Sequence, residues 1–150
     1  MAYQAIVAGA RGLAFFGGHL TQLMRPADAQ SGWNWTFWER VLKPLVTELS
    51  STAIAPALVA PAAKVTITAN AADIDFVTRQ ADGFLYLIAV RRGSSTSLIT
   101  FSGLPAGIGG GEVLFEYAQG RFRAITVTSS AFHDWFGPHD SHVYRFTHMP

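Results

Sequence analysis

The stretch Asp82–Val90 reads DGFLYLIAV, a turn signal followed by seven apolar residues. The Asp-Gly pair is typical of a tight turn between two antiparallel strands. The apolar run that follows has no polar face, which predicts a central strand covered on both of its sides. We therefore place this stretch in the middle of a sheet.

Shorter segments with a period of two surround this strand. Val65 and Ile67 alternate with threonines, and Ile74 and Phe76 alternate with aspartates. Further strands are predicted at Ser97–Phe101, Glu112–Tyr117, Arg121–Thr128 and His142–Phe146. Strands about ten residues apart, with glycine-rich turns between them, are typical of a sandwich. Residues 64–150 are thus predicted to form a mainly β domain, an antiparallel β-sandwich of about seven to eight strands.

Residues 1–50 follow a different pattern, which we interpret as an α-β-α segment. A short helix is predicted over Tyr3–Ala10. The run Gly12–Gly18 is apolar on both faces, as expected of a buried parallel strand. A helix is then predicted from Trp38, and Thr36 and Glu39 have the spacing of a capping box at its N-terminus. Residues 51–63, rich in alanine and proline, are predicted to be a linker lying against a surface.

Composition excludes several classes of protein. Hydrophobic residues make up 49% and charged residues 14% of the 150-residue chain, so it has ample material for a core and is not a disordered chain. The net charge is +1 without a basic stripe, so nucleic acid is not expected as a partner. There is no cysteine, which removes thiolate and disulfide chemistry.

Location is left open by the sequence. The N-terminus lacks the positively charged region of a signal peptide, although the absence of cysteine also fits secreted and periplasmic proteins. No run of about 18 apolar residues exists, so a membrane is not expected as a partner. No cofactor is expected either.

Several segments, taken in their order along the chain, resemble the C-terminal part of a (β/α)8-barrel glycoside hydrolase. Tyr3–Gly18 resembles the seventh helix and eighth strand of the barrel, and Trp38–Ser51 resembles its last helix. Asp82–Val90 resembles the central strand of the C-terminal β-sandwich, whose closing strands resemble Phe132–Pro138 and His142–Phe146. The resemblance implies a glycoside-hydrolase-related accessory domain associated with carbohydrate.

The same resemblance implies that the catalytic machinery is missing. Such enzymes use two carboxylates, an acid and a nucleophile or base. In the family these follow the fourth and seventh barrel strands, which this sequence does not contain. We therefore expect either a missing N-terminal barrel or a homo-oligomer, in which a second copy covers apolar residues such as Leu13 and Phe15.

Two polar groups are candidate sites. In the barrel relatives, the loop after the eighth strand lies on the active-site face. Here that loop carries carbohydrate-binding candidates, since indole rings stack on sugars and polar side chains bind hydroxyls. These residues are His19, Asp28, Trp33 and Trp35.

The second group is the histidine-rich turn at residues 133–148. Imidazoles and carboxylates at short range are ligands of zinc, copper and iron. The candidates are His133, Asp134, His139 and His142. The alternative interpretation is that these residues only build the turn before the last strand, in which His142 and Tyr144 share one face.

Two other functions remain open at this stage. A small metal-binding protein would use the histidine-rich turn. A minimal glycoside hydrolase would need an unorthodox acid pair, and Asp73 and Asp75 on one strand are spaced roughly 6–7 Å apart along the chain. We expect that pair to be surface carboxylates.

Overall fold

The computed structural model describes residues 1–15 and 38–147. The chain divides into two compact units. One unit is residues 12–55, and the other joins residues 1–11 to residues 56 onward. The predicted domain boundaries stay a prediction, but the first helix, α1 (Ala2–Val7), belongs to the same unit as the sandwich.

The unit of residues 12–55 contains a helical segment in two parts. A π-helical turn over Trp38–Leu42 leads into α2 (Lys43–Ser50). Pro44 lies in the first turn of α2, where its missing N–H needs no partner, so the proline marks a second helix start. Lys43 donates to Glu39 at 2.9 Å, one turn apart. Thr36, the other residue of the predicted capping box, lies outside the described residues.

The predicted N-terminal strand is not seen in its described part. Residues 12–15 form neither strand nor helix, and residues 16–18 lie outside the described residues. The side chains of Phe15 and Trp38 are 48% and 39% exposed. Whether a second copy of the chain covers such residues is not tested, so the oligomer stays a prediction. The predicted linker contains a short helix, α3 (Ala55–Val59), with Pro56 in its first turn.

Eight strands form the sandwich within the described residues, which confirms the predicted fold class. They are β1 (Thr68–Ala69), β2 (Ile74–Ala81), β3 (Phe84–Arg91), β4 (Ser97–Ser102), β5 (Gly110–Ala118), β6 (Arg121–Thr126), β7 (Ala131–Phe136) and β8 (Ser141–Thr147). All strand pairs are antiparallel. One sheet has the order β1-β4-β7, and the other has the order β2-β3-β8-β5-β6.

The core lies between the two sheets and is rich in aromatic rings. Phe101 of the three-stranded sheet stacks on Phe132 with ring centres 5.0 Å apart. Tyr144 of the other sheet lies 4.8 Å from Phe132. Each of these three side chains is at most 2% exposed. Burying one such side chain stabilises the fold by roughly 1.5–3 kcal/mol, so this aromatic cluster holds the two sheets together.

β3 is buried on both of its faces, as its sequence predicts. Leu85, Leu87 and Ala89 belong to the core, while the alternate residues, which point to the opposite face, are also buried. α1 packs on β3 and β2 and buries Ile6. The part of the larger sheet formed by β2 and β3 is therefore covered outside the sandwich as well as inside. Among the described residues, no helix is long and apolar enough to span a membrane.

Candidate functional site

A polar cluster lies inside the sandwich at one end of the aromatic core. It is centred on Asp134 of β7, in the smaller sheet, and on His142 and Tyr144 of β8, in the larger sheet. Successive strand residues point to opposite faces, so Asp134 shares the inward face of β7 with Phe132 and Phe136. The alternation thus sends three polar side chains into the space between the sheets.

Asp134 receives donors from both sheets. Its Oδ2 accepts from the Tyr144 hydroxyl at 2.9 Å and from Arg123 Nη2 at 2.6 Å. The same oxygen lies 3.1 Å from His142 Nδ1. Its Oδ1 accepts from the backbone N–H of Trp135 at 3.0 Å. The Asp134 side chain is 10% exposed, so these partners replace the water that burial removes.

His142 lies between carboxylates and against an aromatic ring. Its Nε2 is 3.1 Å from Asp140 Oδ2 and 3.6 Å from Glu116 Oε1. The imidazole stacks on Phe136 with ring centres 4.2 Å apart. Because both ring nitrogens face carboxylates, the geometry favours the doubly protonated imidazolium.

The pKa values of the cluster follow from this geometry. Burial alone would lower the pKa of His142, but the hydrogen bond to Asp134 and the charges of Glu116 and Asp140 outweigh it and raise the pKa. Burial alone would raise the pKa of Asp134, but donors from His142, Arg123 and Tyr144 lower it below its ordinary value. Burial, with the charge of Asp134, raises the pKa of Tyr144.

Arg123 connects the cluster to the surface. It donates through Nε to Glu116 at 2.7 Å and through Nη2 to Asp134 at 2.6 Å. Burial opposes its charge, but the hydrogen bonds to these two carboxylates raise the pKa of Arg123. The cluster is therefore a charged network in which each ionised group is matched by an opposite charge.

This arrangement suits cross-sheet stabilisation better than proton transfer. A catalytic acid or base must lie within hydrogen-bond reach of a substrate. Tyr144 is fully buried, and the side chains of Asp134 and His142 are 10% and 7% exposed. A general acid of a glycosidase needs a raised carboxyl pKa, whereas that of Asp134 is lowered.

A second buried cation closes the same end of the sandwich. Arg91, 3% exposed, donates to Asp73 at 3.1 Å and to the carbonyl oxygen of Phe136 at 3.1 Å. It also donates to Ser97 Oγ at 2.9 Å and to the carbonyl oxygen of Ser95. Arg91 thus ties the β3–β4 loop to β7.

The carboxylates of the predicted strand pair are both engaged with arginines. Asp73 contacts Arg91 at 3.1 Å, and Asp75 contacts Arg92 at 2.7 Å. Glu112 of β5 is likewise paired with Arg145, at 2.6 Å. Each of these three carboxylates is therefore engaged in an ion pair within the fold.

The structure brings together two of the four metal-ligand candidates. Asp134 and His142 are in contact, but His133 is exposed on the opposite face of β7. His139 is exposed in the β7–β8 turn at a φ of 55°. No group of three or more histidine or acidic side chains among the described residues is placed to hold a metal ion. The metal site stays a prediction.

The carbohydrate candidates His19, Asp28, Trp33 and Trp35 lie outside the described residues. Sequence reasoning missed Arg123 and Glu116 as members of the cluster and Trp135 as an exposed aromatic residue. Trp135 had a signal, because strand alternation places it on the face opposite Asp134. No sequence pattern indicates that Arg123 reaches Asp134, since that contact depends on how the two sheets pack. The contacts of Glu116 with Arg123 and His142 depend on the order of strands within the larger sheet.

Comparisons with known proteins give structural matches only. No protein-family model matches the sequence, and no curated protein matches it. An Anoxybacillus α-amylase is 10% identical, with a TM-score of 0.42 over 58% of this chain and 19% of that chain. AmyP in complex with maltotriose is 14% identical, with a TM-score of 0.43 over 62% and 18% of the two chains.

A GH30 endoxylanase from Clostridium papyrosolvens is 13% identical, with a TM-score of 0.40 over 53% of this chain and 21% of that chain. The chain spans about a fifth of the length of these structures.

Proposed function

We propose that this chain is a non-catalytic accessory module of the glycoside hydrolase class, and that it associates with carbohydrate without cleaving it. The observation that carries the proposal is the state of Asp134, the most buried carboxylate of the described sandwich. Its pKa is lowered and its acceptor positions are filled by protein donors. A carboxylate in this state stabilises the fold and has no free oxygen to offer a glycosidic bond.

The other strand carboxylates support the same function. Asp75, Glu112 and Glu116 each form an ion pair with an arginine, at 2.7, 2.6 and 2.7 Å. A retaining or inverting glycosidase needs two carboxyl groups with separated pKa values that face a shared cleft. The described strands instead use their carboxylates to join neighbouring strands and sheets.

Association with carbohydrate is supported by the chemistry of the exposed surface. The described sandwich exposes an aromatic side chain on a rigid strand, Trp135 of β7, at 61%. Rigidly held aromatic rings offer an apolar face with little conformational entropy to lose on binding. Sugar rings present C–H faces that match such a ring.

The test is a paired measurement on the whole chain. Retention in native gels that contain soluble starch, xylan or hydroxyethylcellulose reports binding, and release of reducing ends from the same polymers reports cleavage. The proposal predicts retention by at least one polymer and no release. Release of reducing ends, or the absence of retention by every polymer, would overturn it.

A further inference from the structure

The outer face of the three-stranded sheet carries an exposed aromatic side chain on a rigid strand. Trp135 of β7 is 61% exposed, and its cross-strand partner, Leu98 of β4, is 42% exposed. The next pair on the same face of the sheet is His133 with Thr100. We call the surface formed by Leu98, Thr100, His133 and Trp135 the Trp135 face.

The strands beneath the Trp135 face are held by the core. Phe132 and Phe136, which flank His133 and Trp135 in β7, are 2% and 0% exposed on the opposite side of the sheet. The strand backbone is therefore fixed by buried side chains on one face while the indole projects from the other. A ligand on the Trp135 face would not need to order a loop, which keeps the entropic cost of binding small.

The outward positions of this face carry no lysine, arginine or carboxylate side chain. The outward positions of the three strands are occupied by Trp135, Leu98, His133 and hydroxyl-bearing or small residues; these are Thr68, Thr100, Ser102 and Ala131. The single carboxylate of these strands, Asp134, points into the sandwich. Nothing in these outward positions would attract a phosphate or a charged peptide.

The size of the face separates a sugar from a protein partner. β4 and β7 have six residues each and are about 20 Å long, whereas β1 has only two. Three strands span about 10 Å, so the flat sheet face is smaller than about 200 Å². A stable protein interface buries about 800 Å² on each partner. The face is too small for a folded partner, but it matches a short stretch of an extended saccharide.

We propose that the Trp135 face is a stacking site for a neutral polysaccharide. The indole of Trp135 packs against the C–H face of a pyranose, and the side chains of His133 and Thr100 hydrogen-bond to hydroxyls of the same or the adjacent ring. This assignment rests on the proposed carbohydrate association and names its surface and its ligand class.

The experiment measures retention in gels containing soluble starch, xylan or hydroxyethylcellulose for the wild-type chain, for two matched alanine variants and for the rescue variant Trp135→Phe. Trp135→Ala removes the proposed ring. Tyr117→Ala removes a ring that is 70% exposed but lies on β5 of the other sheet, so it is the control for losing an exposed aromatic side chain. Thermal unfolding verifies that all three variants are folded.

We expect Trp135→Ala to weaken binding at least tenfold, Trp135→Phe to recover part of it, and Tyr117→Ala to stay within twofold of the wild type. Added salt should leave binding unchanged, because no charge is involved. Wild-type binding that Trp135→Ala leaves intact would overturn this site while preserving the proposed function. Absence of wild-type binding to every polymer would overturn both.

Discussion

The hydroxyl of Tyr144 donates to the carboxylate of Asp134 at 2.9 Å, and this hydrogen bond joins the two sheets of the sandwich. Tyr144 belongs to β8 in the larger sheet, and Asp134 belongs to β7 in the smaller one. Both lie beside the aromatic core, where an unpaired polar group costs more than it would at the surface. The cluster around this pair should therefore contribute strongly to stability.

Asp134→Ala should destabilise the chain by about 3 kcal/mol, because it leaves Arg123, His142 and Tyr144 without their shared acceptor. The control is Asp75→Ala, the same substitution in an ion pair whose side chains are 47% and 54% exposed. Exposed pairs contribute at most about 1 kcal/mol. Urea unfolding measures both changes, and equal losses in the two variants would contradict a structural role for the cluster.

Stability should decrease at both ends of the pH scale. The pKa of His142 is raised in the folded state, so its stabilising contribution is complete below the ordinary value of about 6.5 and is lost as the pH rises through the folded pKa. The pKa of Asp134 is lowered, so its contribution is complete above about 3.9 and is lost as the pH falls through the folded pKa.

The measurement is the thermal midpoint of the wild type and of His142→Gln from about pH 2 to about pH 9, a range that includes both predicted decreases. The wild type should lose stability on the alkaline side, and His142→Gln should lose that part of the pH dependence. An alkaline decrease of the same size in both proteins would assign it to other groups.

Alanine substitutions at two glycines distinguish the cost of backbone strain from the cost of a steric clash. Gly103 has a φ of +95°, and a Cβ there would lie 2.2 Å from the carbonyl oxygen of Thr66. Gly120 has a φ of +78°, and a Cβ there would project into open space. Gly120→Ala should cost about 1 kcal/mol from the backbone alone. Gly103→Ala should cost about 1–3 kcal/mol more, because the Thr66 segment must shift.

Urea unfolding of the two alanine variants tests this difference directly. The same loss in both would mean that Thr66 moves aside freely and that the close approach of the two segments contributes nothing.

The strands could be predicted because each carries its own period of two or its own apolar run. β3 is the clearest example, since Leu85–Val90 has no polar residue and is buried on both faces. The helix Ala55–Val59 was hidden, because a short segment rich in alanine and proline does not differ from a linker.

The candidate site could be predicted only in part. The sequence places Asp134 and His142 in one short segment, and strand alternation puts His142 and Tyr144 on one face. It does not indicate that Arg123 reaches Asp134, since they lie on strands of different sheets. That contact depends on sheet packing, and it gives the Asp134 carboxylate an ion-pair partner that the sequence does not indicate.

The most direct test of the account is the release of reducing ends from starch, xylan and hydroxyethylcellulose by the folded wild-type chain at high concentration, with Asp134→Asn and Glu116→Gln assayed in parallel. The account predicts no release above a protein-free blank by any of the three proteins. Turnover by the wild type that either substitution abolishes would contradict it, because the interior carboxylates would then be catalytic.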